Sequence, residues 1–159
     1  MAILDKVDKL HEARAWRGNI PIQSRYTAGI AGERFFREIK DHARILGTRC
    51  HVCGLTYVPA TMFCERCFSE LDDWVEVPSR GRVFTYTVLY RDLDGDPLGE
   101  PAVLAYVKLD GCDGGLVHYL GNVQAEEVFI GLEVEAVFKD AADRQGSILD
   151  VRYFQPVEE

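Results

Sequence analysis

The chain has 159 residues and a formal net charge of −8, with 47% hydrophobic and 28% charged residues. This length and composition suit a globular protein of one domain, or of two small modules that share a core. No apolar run approaches the roughly 20 residues that span a bilayer, and the mixed acids and bases of residues 1–16 are atypical of a secretory or transit peptide. The sequence therefore predicts a cytoplasmic protein that does not associate with membranes.

The charge is distributed unevenly along the chain. Residues 1–49 hold ten Lys or Arg against six Asp or Glu, whereas residues 81–159 hold six against fifteen. Affinity for nucleic acid comes largely from cations that neutralise phosphates, so the acidic C-terminal half argues against a nucleic-acid partner. The basic N-terminal half instead suits docking onto an acidic protein surface.

Two helices are predicted in the N-terminal third of the chain. Residues 3–16 place apolar side chains at helical spacing, and residues 19–30 have no helical period and look extended. Residues 31–46 carry a second apolar stripe that includes Phe35. Phe36 follows directly and points another way, so we expect one of the two rings to pack on a partner or on the preceding segment.

A β-rich module fills the C-terminal half. Five stretches of β-branched and aromatic residues are separated by turn residues, at about 81–91, 101–109, 115–122, 132–139 and 147–154. The segment AEEVFIG (125–131), between the third and fourth stretches, has the length of one or two helical turns. Five short strands with a small helix at this place are the order of an OB-fold barrel.

Four of the five cysteines form two C-x-x-C pairs between the helices and the strands. Two residues between paired thiolates let the chain turn so that both sulfurs face one ion, and two such turns complete a tetrahedron. The ten residues between the pairs suit a short hairpin that folds one turn over the other. The pattern predicts one Zn²⁺, or iron as the alternative in the same cage, bound by Cys50, Cys53, Cys64 and Cys67.

This metal is predicted to be structural, because four thiolates fill its coordination shell and leave no position for water or substrate. His51 stands between two ligands and is interpreted as a surface residue. A redox role for the pairs is disfavoured, since a redox C-x-x-C begins a helix in a βαβ unit. The predicted fold is mainly β, with an N-terminal helical segment (1–47), a rubredoxin-like zinc ribbon (48–78) and a five-stranded OB-fold domain (79–159).

No set of residues typical of catalysis is recognisable. The sequence lacks a nucleophile elbow, a phosphate loop, a dinucleotide fingerprint and a zinc-protease motif. His118 is interpreted as a half-buried strand histidine, and Cys112 lies in a glycine-rich turn where Asp113 raises its pKa. An acidic cluster lacks the distal Glu of a calcium loop and is interpreted as turn residues, Asp92, Asp94 and Asp96. We therefore predict no catalytic residue in this chain.

The order of motifs over residues 31–156 resembles the zinc-ribbon and OB-fold proteins that accompany thiolases and related acyl-CoA enzymes. The resemblance rests on C-x-x-C-G-x-x-Y-x-P, on the second C-x-x-C, and on the stretches GRVFTYT, LGN and IGLEVEAVF. The cysteines alone are common to many ribbons, and the last three stretches make the resemblance more specific. Two features depart from the family: the CDGG loop (112–115) is longer than its tight turn, and residues 1–30 extend beyond its short form.

The resemblance implies a non-catalytic subunit. In this family the ribbon and the N-terminal helices dock on a thiolase-fold partner, and the OB module lies near the partner's acyl-CoA entrance. A coenzyme A thioester is therefore the implied ligand of the complex. The long N-terminal extension is similar to that of members acting on benzoylsuccinyl-CoA, which implies a place in anaerobic toluene degradation.

Two other functions compete with this one. Zinc ribbons and OB folds also bind single-stranded nucleic acid through stacked aromatic residues, here Tyr86, Tyr90, Tyr106 and Tyr119. A stand-alone acyl-CoA-binding protein or thioesterase would place the phosphates of CoA against Arg80, Arg82 and Arg91. The acidic OB half opposes the first alternative, and the small number and scatter of these arginines oppose the second.

Overall fold

The computed structural model describes residues 27–92 and 94–157. The helix predicted at 3–16, and the extended stretch as far as residue 26, lie outside the described residues. Within the described part, one α-helix precedes eight β-strands. No helix there has the length and apolar character needed to cross a bilayer.

Helix α1 spans Gly29–His42 and buries Phe35 and Ile39. It ends where Ala43 adopts a left-handed conformation with φ of 52°, from which its N–H bonds to the carbonyl of Ile39. The predicted bounds of 31–46 are therefore wrong at both ends. Gly29 and Ile30 are helical rather than extended, and the chain after Arg44 leaves the helix because its backbone pairs with a strand of the ribbon.

The two adjacent aromatic rings of α1 both pack inward. Phe35 is fully buried in the main core, and Phe36 is partly buried against that same core. Their ring centroids lie 5.4 Å apart at an interplanar angle of 72°, an edge-to-face arrangement. Phe36 keeps part of its ring exposed, and the expectation that one ring packs on a partner or on the preceding segment stays a prediction, since residues 1–26 lie outside the described residues.

The ribbon contains a three-stranded antiparallel sheet of β1 (Ile45–Arg49), β2 (Thr56–Tyr57) and β3 (Asp73–Val77), in the order β2-β1-β3. Strand β1 pairs along its whole length with β3, and its end pairs with β2. This central position buries four of the five residues of β1. The two metal-binding turns project from one end of this small sheet.

The five strands predicted after the ribbon form a closed barrel in the order β4-β5-β6-β8-β7. Their bounds are β4 (Arg80–Arg91), β5 (Pro97–Leu109), β6 (Gly115–Leu120), β7 (Glu133–Phe138) and β8 (Val151–Pro156). The small predicted helix is a single 3₁₀ turn at Ala125–Glu127 between β6 and β7. The last strand begins later than predicted, because Ile148–Asp150 forms another 3₁₀ turn. The sequence therefore predicted the OB-fold barrel correctly.

The ribbon and the barrel share one hydrophobic core and a hydrogen-bonded joint. Val58 and Val77 of the ribbon belong to the same buried cluster as Phe154 of the barrel. At the joint, the Asp113 N–H donates to the Thr56 carbonyl at 2.9 Å, and the Asp113 carboxylate accepts a bond of 2.9 Å from the Thr56 N–H. The β5–β6 turn, which contains the CDGG loop, thus attaches the barrel to the ribbon.

Gly114 is expected to be essential to this joint. A Cβ added there would lie 2.4 Å from the carbonyl oxygen and 2.8 Å from the backbone nitrogen of Val58, so the two modules would have to separate. We expect Gly114→Ala to lower the free energy of unfolding by about 2 kcal/mol. Gly99→Ala is the matched control, since nothing lies within 4 Å of its added Cβ. Equal denaturant midpoints for the two variants would contradict this account of the joint.

Candidate metal centre

The structure brings the four predicted ligands together. The Sγ atoms of Cys50, Cys53, Cys64 and Cys67 all lie within 4.8 Å of one another. The distance from Cys50 to Cys67 is 3.5 Å and that from Cys53 to Cys64 is 3.9 Å. Four sulfurs placed tetrahedrally around Zn²⁺ at about 2.3 Å would be separated by about 3.8 Å. The donor set and its spacing therefore fit a four-coordinate zinc ion.

Each cysteine pair lies in a tight turn of the same construction. In the first turn the N–H of Gly54 bonds to the carbonyl of Cys50, and in the second the N–H of Phe68 bonds to the carbonyl of Cys64, both at 2.8 Å. The closing residue takes a positive φ in each, 72° at Gly54 and 61° at Phe68. Glycine adopts this conformation without strain, whereas a phenylalanine there is unusual.

Hydroxyl groups next to the sulfurs were not predicted as part of the site. The Tyr57 hydroxyl lies 3.1 Å from Cys64 Sγ, and the Ser69 hydroxyl lies 3.2 Å from Cys67 Sγ. The bond from Tyr57 lowers the pKa of Cys64 to about 6, and the bond with Ser69 lowers the pKa of Cys67. The bond with the Cys67 sulfur instead raises the pKa of Cys53 to about 12. A cation bound among the four sulfurs would favour the thiolate form of each of them.

Tyr57→Phe is expected to weaken metal binding, because the hydroxyl that stabilises the Cys64 thiolate is lost while the ring remains. Groups that hydrogen-bond to a metal ligand typically contribute tenfold or more to affinity, so we expect a loss of about tenfold. Competition with a chromogenic chelator measures it. Tyr119→Phe, which removes a hydroxyl from the barrel, serves as the control. Equal affinity in Tyr57→Phe and wild-type protein would exclude a role for this bond.

The other residues considered for catalysis or metal binding have contacts that indicate no such role. His118 is buried, accepts a 2.9 Å bond from its neighbour's backbone N–H and contacts the Ile148 carbonyl at 3.2 Å, and burial lowers its pKa. The Cys112 thiol is buried against the carbonyls of Leu109 and Gly114, and burial raises its pKa. His51 is exposed, 3.9 Å from an Asp73 carboxylate oxygen. His118 is therefore more buried than predicted.

The acidic cluster organises the tip of the β4–β5 hairpin. Asp92 Oδ1 accepts bonds from the backbone N–H groups of Asp94 and Asp96, at 3.0 and 2.9 Å. The Arg91 guanidinium closes the turn onto the Gly95 carbonyl at 2.7 Å. This arrangement is a hydrogen-bonded turn, consistent with the sequence interpretation.

Two family models match consecutive parts of the chain. Residues 37–72 match the rubredoxin-like zinc ribbon domain of ChsH2, and residues 74–139 match the C-terminal OB-fold domain of ChsH2. The first match contains all four cysteines of the metal centre, and the second contains four of the five barrel strands.

Similar proteins occur among archaea and among solved structures. A DUF35 domain-containing scaffold protein of Methanocaldococcus jannaschii is 29% identical over 79% of this chain and 90% of its own length. A scaffold protein of the same description from Pyrococcus furiosus is 29% identical over 78% of this chain and 91% of its own length. A DUF35 protein of unknown function from Sulfolobus solfataricus is 32% identical with a TM-score of 0.59, covering 69% of this chain and 78% of that one. The Ltp2-ChsH2(DUF35) aldolase matches in fold at 24% identity with a TM-score of 0.57, covering 78% and 93%.

Proposed function

Because the chain belongs to the DUF35 family and carries its zinc ribbon and OB fold in the same order, we propose that it is a zinc-containing, non-catalytic subunit of a thiolase-type acyl-CoA enzyme. Relatives in this family are named as scaffold proteins, and one similar structure is named the Ltp2-ChsH2(DUF35) aldolase. Both names suit a protein that supports an enzyme.

The chemistry of the described residues supports a non-catalytic role. Covalent acyl transfer needs an activated nucleophile beside a base. Four cysteines are gathered at the metal centre, and the fifth, Cys112, is buried with a raised pKa. The neutral imidazole of His118 is committed to backbone partners inside the barrel. Within residues 27–92 and 94–157 we therefore assign no catalytic group.

Zinc is proposed at Cys50, Cys53, Cys64 and Cys67 as a structural ion. When bound, it would hold the two turns together and neutralise part of the thiolate charge. The residues of this chain provide the four sulfurs, with Tyr57 and Ser69 hydrogen-bonded to two of them. A filled shell leaves the ion no position for a substrate.

The docking surface that we propose lies on the metal-binding turns. The observation that supports it is the exposure of apolar side chains on these turns. Large apolar side chains project into solvent here: Val52 is 72% exposed, Phe63 58% and Phe68 79%. Phe68 closes the second turn in a conformation that favours glycine, so a strained backbone is retained together with an exposed ring. Aromatic residues presented on a rigid turn are typical anchors of protein interfaces.

Phe68→Gly tests this surface. Glycine suits the positive φ at this position, so the turn is expected to fold at least as well as in the wild type, while the proposed anchor is removed. The chain is to be co-expressed with a thiolase-fold protein of the same organism, followed by size-exclusion chromatography and assay of the complex. We expect the wild-type chain to co-elute and to be required for activity, and Phe68→Gly to bind at least tenfold more weakly.

Two results would contradict the proposal. The first is a chain that does not bind the thiolase-fold protein and leaves its activity unchanged. The second is unaltered binding by Phe68→Gly, which would place the docking surface elsewhere. Tyr119→Ala, an exposed aromatic residue on the barrel, is the control for a general loss of apolar surface.

The ligand proposed for the complex is a coenzyme A thioester, and the pathway proposed is anaerobic toluene degradation through benzoylsuccinyl-CoA. The acidic barrel half opposes a nucleic-acid ligand by charge. Titration of the complex with benzoylsuccinyl-CoA, with acetoacetyl-CoA and with a single-stranded oligonucleotide separates these cases. A salt-dependent complex of the isolated chain with the oligonucleotide would favour the nucleic-acid function instead.

A further inference from the structure

Strand β4 is longer than the part that closes the barrel, and within the described residues its remaining length pairs on one side only. Strand β4 pairs with β5 along most of its length but with β7 only at Arg80–Arg82, and Val83 then bonds to the loop at residues 131–132. Beyond that point, residues 84–90 of β4 have no strand beside them on this side within the described chain. Backbone N–H and C=O groups on such an edge form a template for another strand.

This open edge lacks the features that keep strand edges apart. Its sequence is FTYTVLY, without charge, proline or glycine, and six of its seven residues favour β-structure. Phe84 is 60% exposed and Tyr90 is 66% exposed. Proteins usually protect an exposed edge with lysine or proline. An uncharged, aromatic edge of this length therefore indicates that another strand covers it.

The edge is complementary to itself. If two copies are placed antiparallel around a two-fold axis at Thr87, Thr87 faces Thr87, Thr85 faces Leu89, Tyr86 faces Val88 and Phe84 faces Tyr90. Aromatic pairs, aromatic with β-branched pairs and Thr–Thr pairs are favourable across strands. The β4–β5 pairing shifts its register twice, once after Val83 and once after Leu89. The two-fold axis places the first shift of one copy opposite the second shift of the other. We propose that this edge pairs with the same edge of a second copy of the chain.

The surroundings of the edge suit this register. In this register Asp92, the first residue after β4 of one copy, is level with Arg82 of the other. Arg82 is exposed with one carboxylate partner on β7, Glu133, and a guanidinium has donors for a second. Gly131 bonds to the Val83 carbonyl at 2.7 Å, so its exposed neighbours Phe129 and Ile130 lie at the end of the edge, within reach of the second copy.

Disulfide trapping tests the register directly. In the proposed dimer two Thr87 residues face each other at a Cα separation of about 4.5–5.5 Å, which a disulfide spans. Two Thr85 residues are offset by four positions, about 13 Å, which a disulfide does not span. We expect the isolated full chain carrying Thr87→Cys to form a covalent dimer in a glutathione buffer. Thr85→Cys and the wild-type chain, which controls for the native cysteines, are expected to remain uncrosslinked.

Charge complementation provides a second test that needs no cysteine. Thr87→Lys and Thr87→Glu each place like charges opposite one another on an exposed position, so each is expected to raise the dimer dissociation constant about tenfold or more. An equimolar mixture of the two should restore a heterodimer in sedimentation equilibrium. A wild-type chain that sediments as a monomer, equal crosslinking at positions 85 and 87, or a mixture no tighter than its components would each overturn the proposal. None of these readouts involves an enzyme partner.

Discussion

Removal of the metal is expected to unfold the ribbon and to destabilise the barrel with it. Structural zinc contributes about 10–16 kcal/mol to the folding of small zinc domains, far more than a sheet of three short strands supplies. The sheet here contains only strands β1, β2 and β3, and β2 has two residues. The ribbon also supplies Val58 and Val77 to the common core, so its loss leaves that part of the core open.

Cys64→Ser and Cys112→Ser form a matched pair for this prediction. Cys64 lies at the metal centre, whereas Cys112 is a buried thiol that donates to the carbonyls of Leu109 and Gly114, bonds that a serine hydroxyl can also make. We expect Cys64→Ser to lose metal and the β-sheet signal of the ribbon. Cys112→Ser should keep about one zinc per chain and melt within a few degrees of the wild type.

Metal analysis of freshly purified protein decides between the possible ions. Zinc at about one equivalent is the expected result, and iron in its place would keep the four-sulfur site but change its metal. Protein that folds with neither metal, or a Cys64→Ser variant with wild-type metal content and melting temperature, would refute the structural role. Dialysis against a chelator should reproduce the effect of Cys64→Ser in the wild-type chain.

The features that the sequence predicted correctly are those with a short, regular signal. Two C-x-x-C pairs predict by their spacing that four sulfurs come together, as they do here, since tetrahedral thiolate ligation requires two turns of this kind. Alternating apolar residues such as those of Leu132 to Phe138 predict a strand, because successive side chains of a strand point to opposite faces. Five segments rich in β-branched and aromatic residues, with a small helix between the third and the fourth, were sufficient to predict the barrel.

The features that were missed depend on contacts distant in sequence. The end of α1 at Ala43 is set by the pairing of β1 with β3, about 30 residues later, which outweighs the helical spacing of Leu46. The tyrosine beside the metal centre gave a signal only as part of the family motif. Phe68 gave none, because a phenylalanine at positive φ contradicts local preference.

Asp150 was also missed, although the backbone groups that it binds lie only three to five residues before it in the chain. It is fully buried, and its carboxylate accepts backbone bonds of 2.6 to 3.1 Å from Gln145, Gly146 and Ser147. Burial opposes its ionisation, but these three residues, aided by Lys139, lower its pKa overall. The same loop holds α1, since the Arg144 guanidinium donates to the Ile39 carbonyl at 3.0 Å.

We expect Asp150→Asn to lower the free energy of unfolding by about 3 kcal/mol, because an amide NH₂ replaces one oxygen in front of converging N–H donors. For a chain of this length that corresponds to a fall in melting temperature of roughly 6–12 °C. The matched control is Asp140→Asn, which removes the same charge from an exposed position and should stay within about 0.5 kcal/mol of the wild type.

The pH dependence of this difference gives an independent check. A carboxyl whose pKa is lowered by folding stabilises fully above its unfolded pKa of 3.8, and that stability is lost only as the pH falls towards the lowered value. The difference between wild-type and Asp150→Asn protein should therefore be the same at about pH 5.5 and about pH 8. Burial lowers the pKa of His118, so this residue destabilises the folded chain when the pH falls below the ordinary pKa of histidine. The effect is the same in both proteins and cancels in the difference. A difference that is smaller at about pH 5.5 than at about pH 8 would mean that the Asp150 carboxyl becomes protonated in the folded chain at the lower pH, contrary to the bonds that surround it.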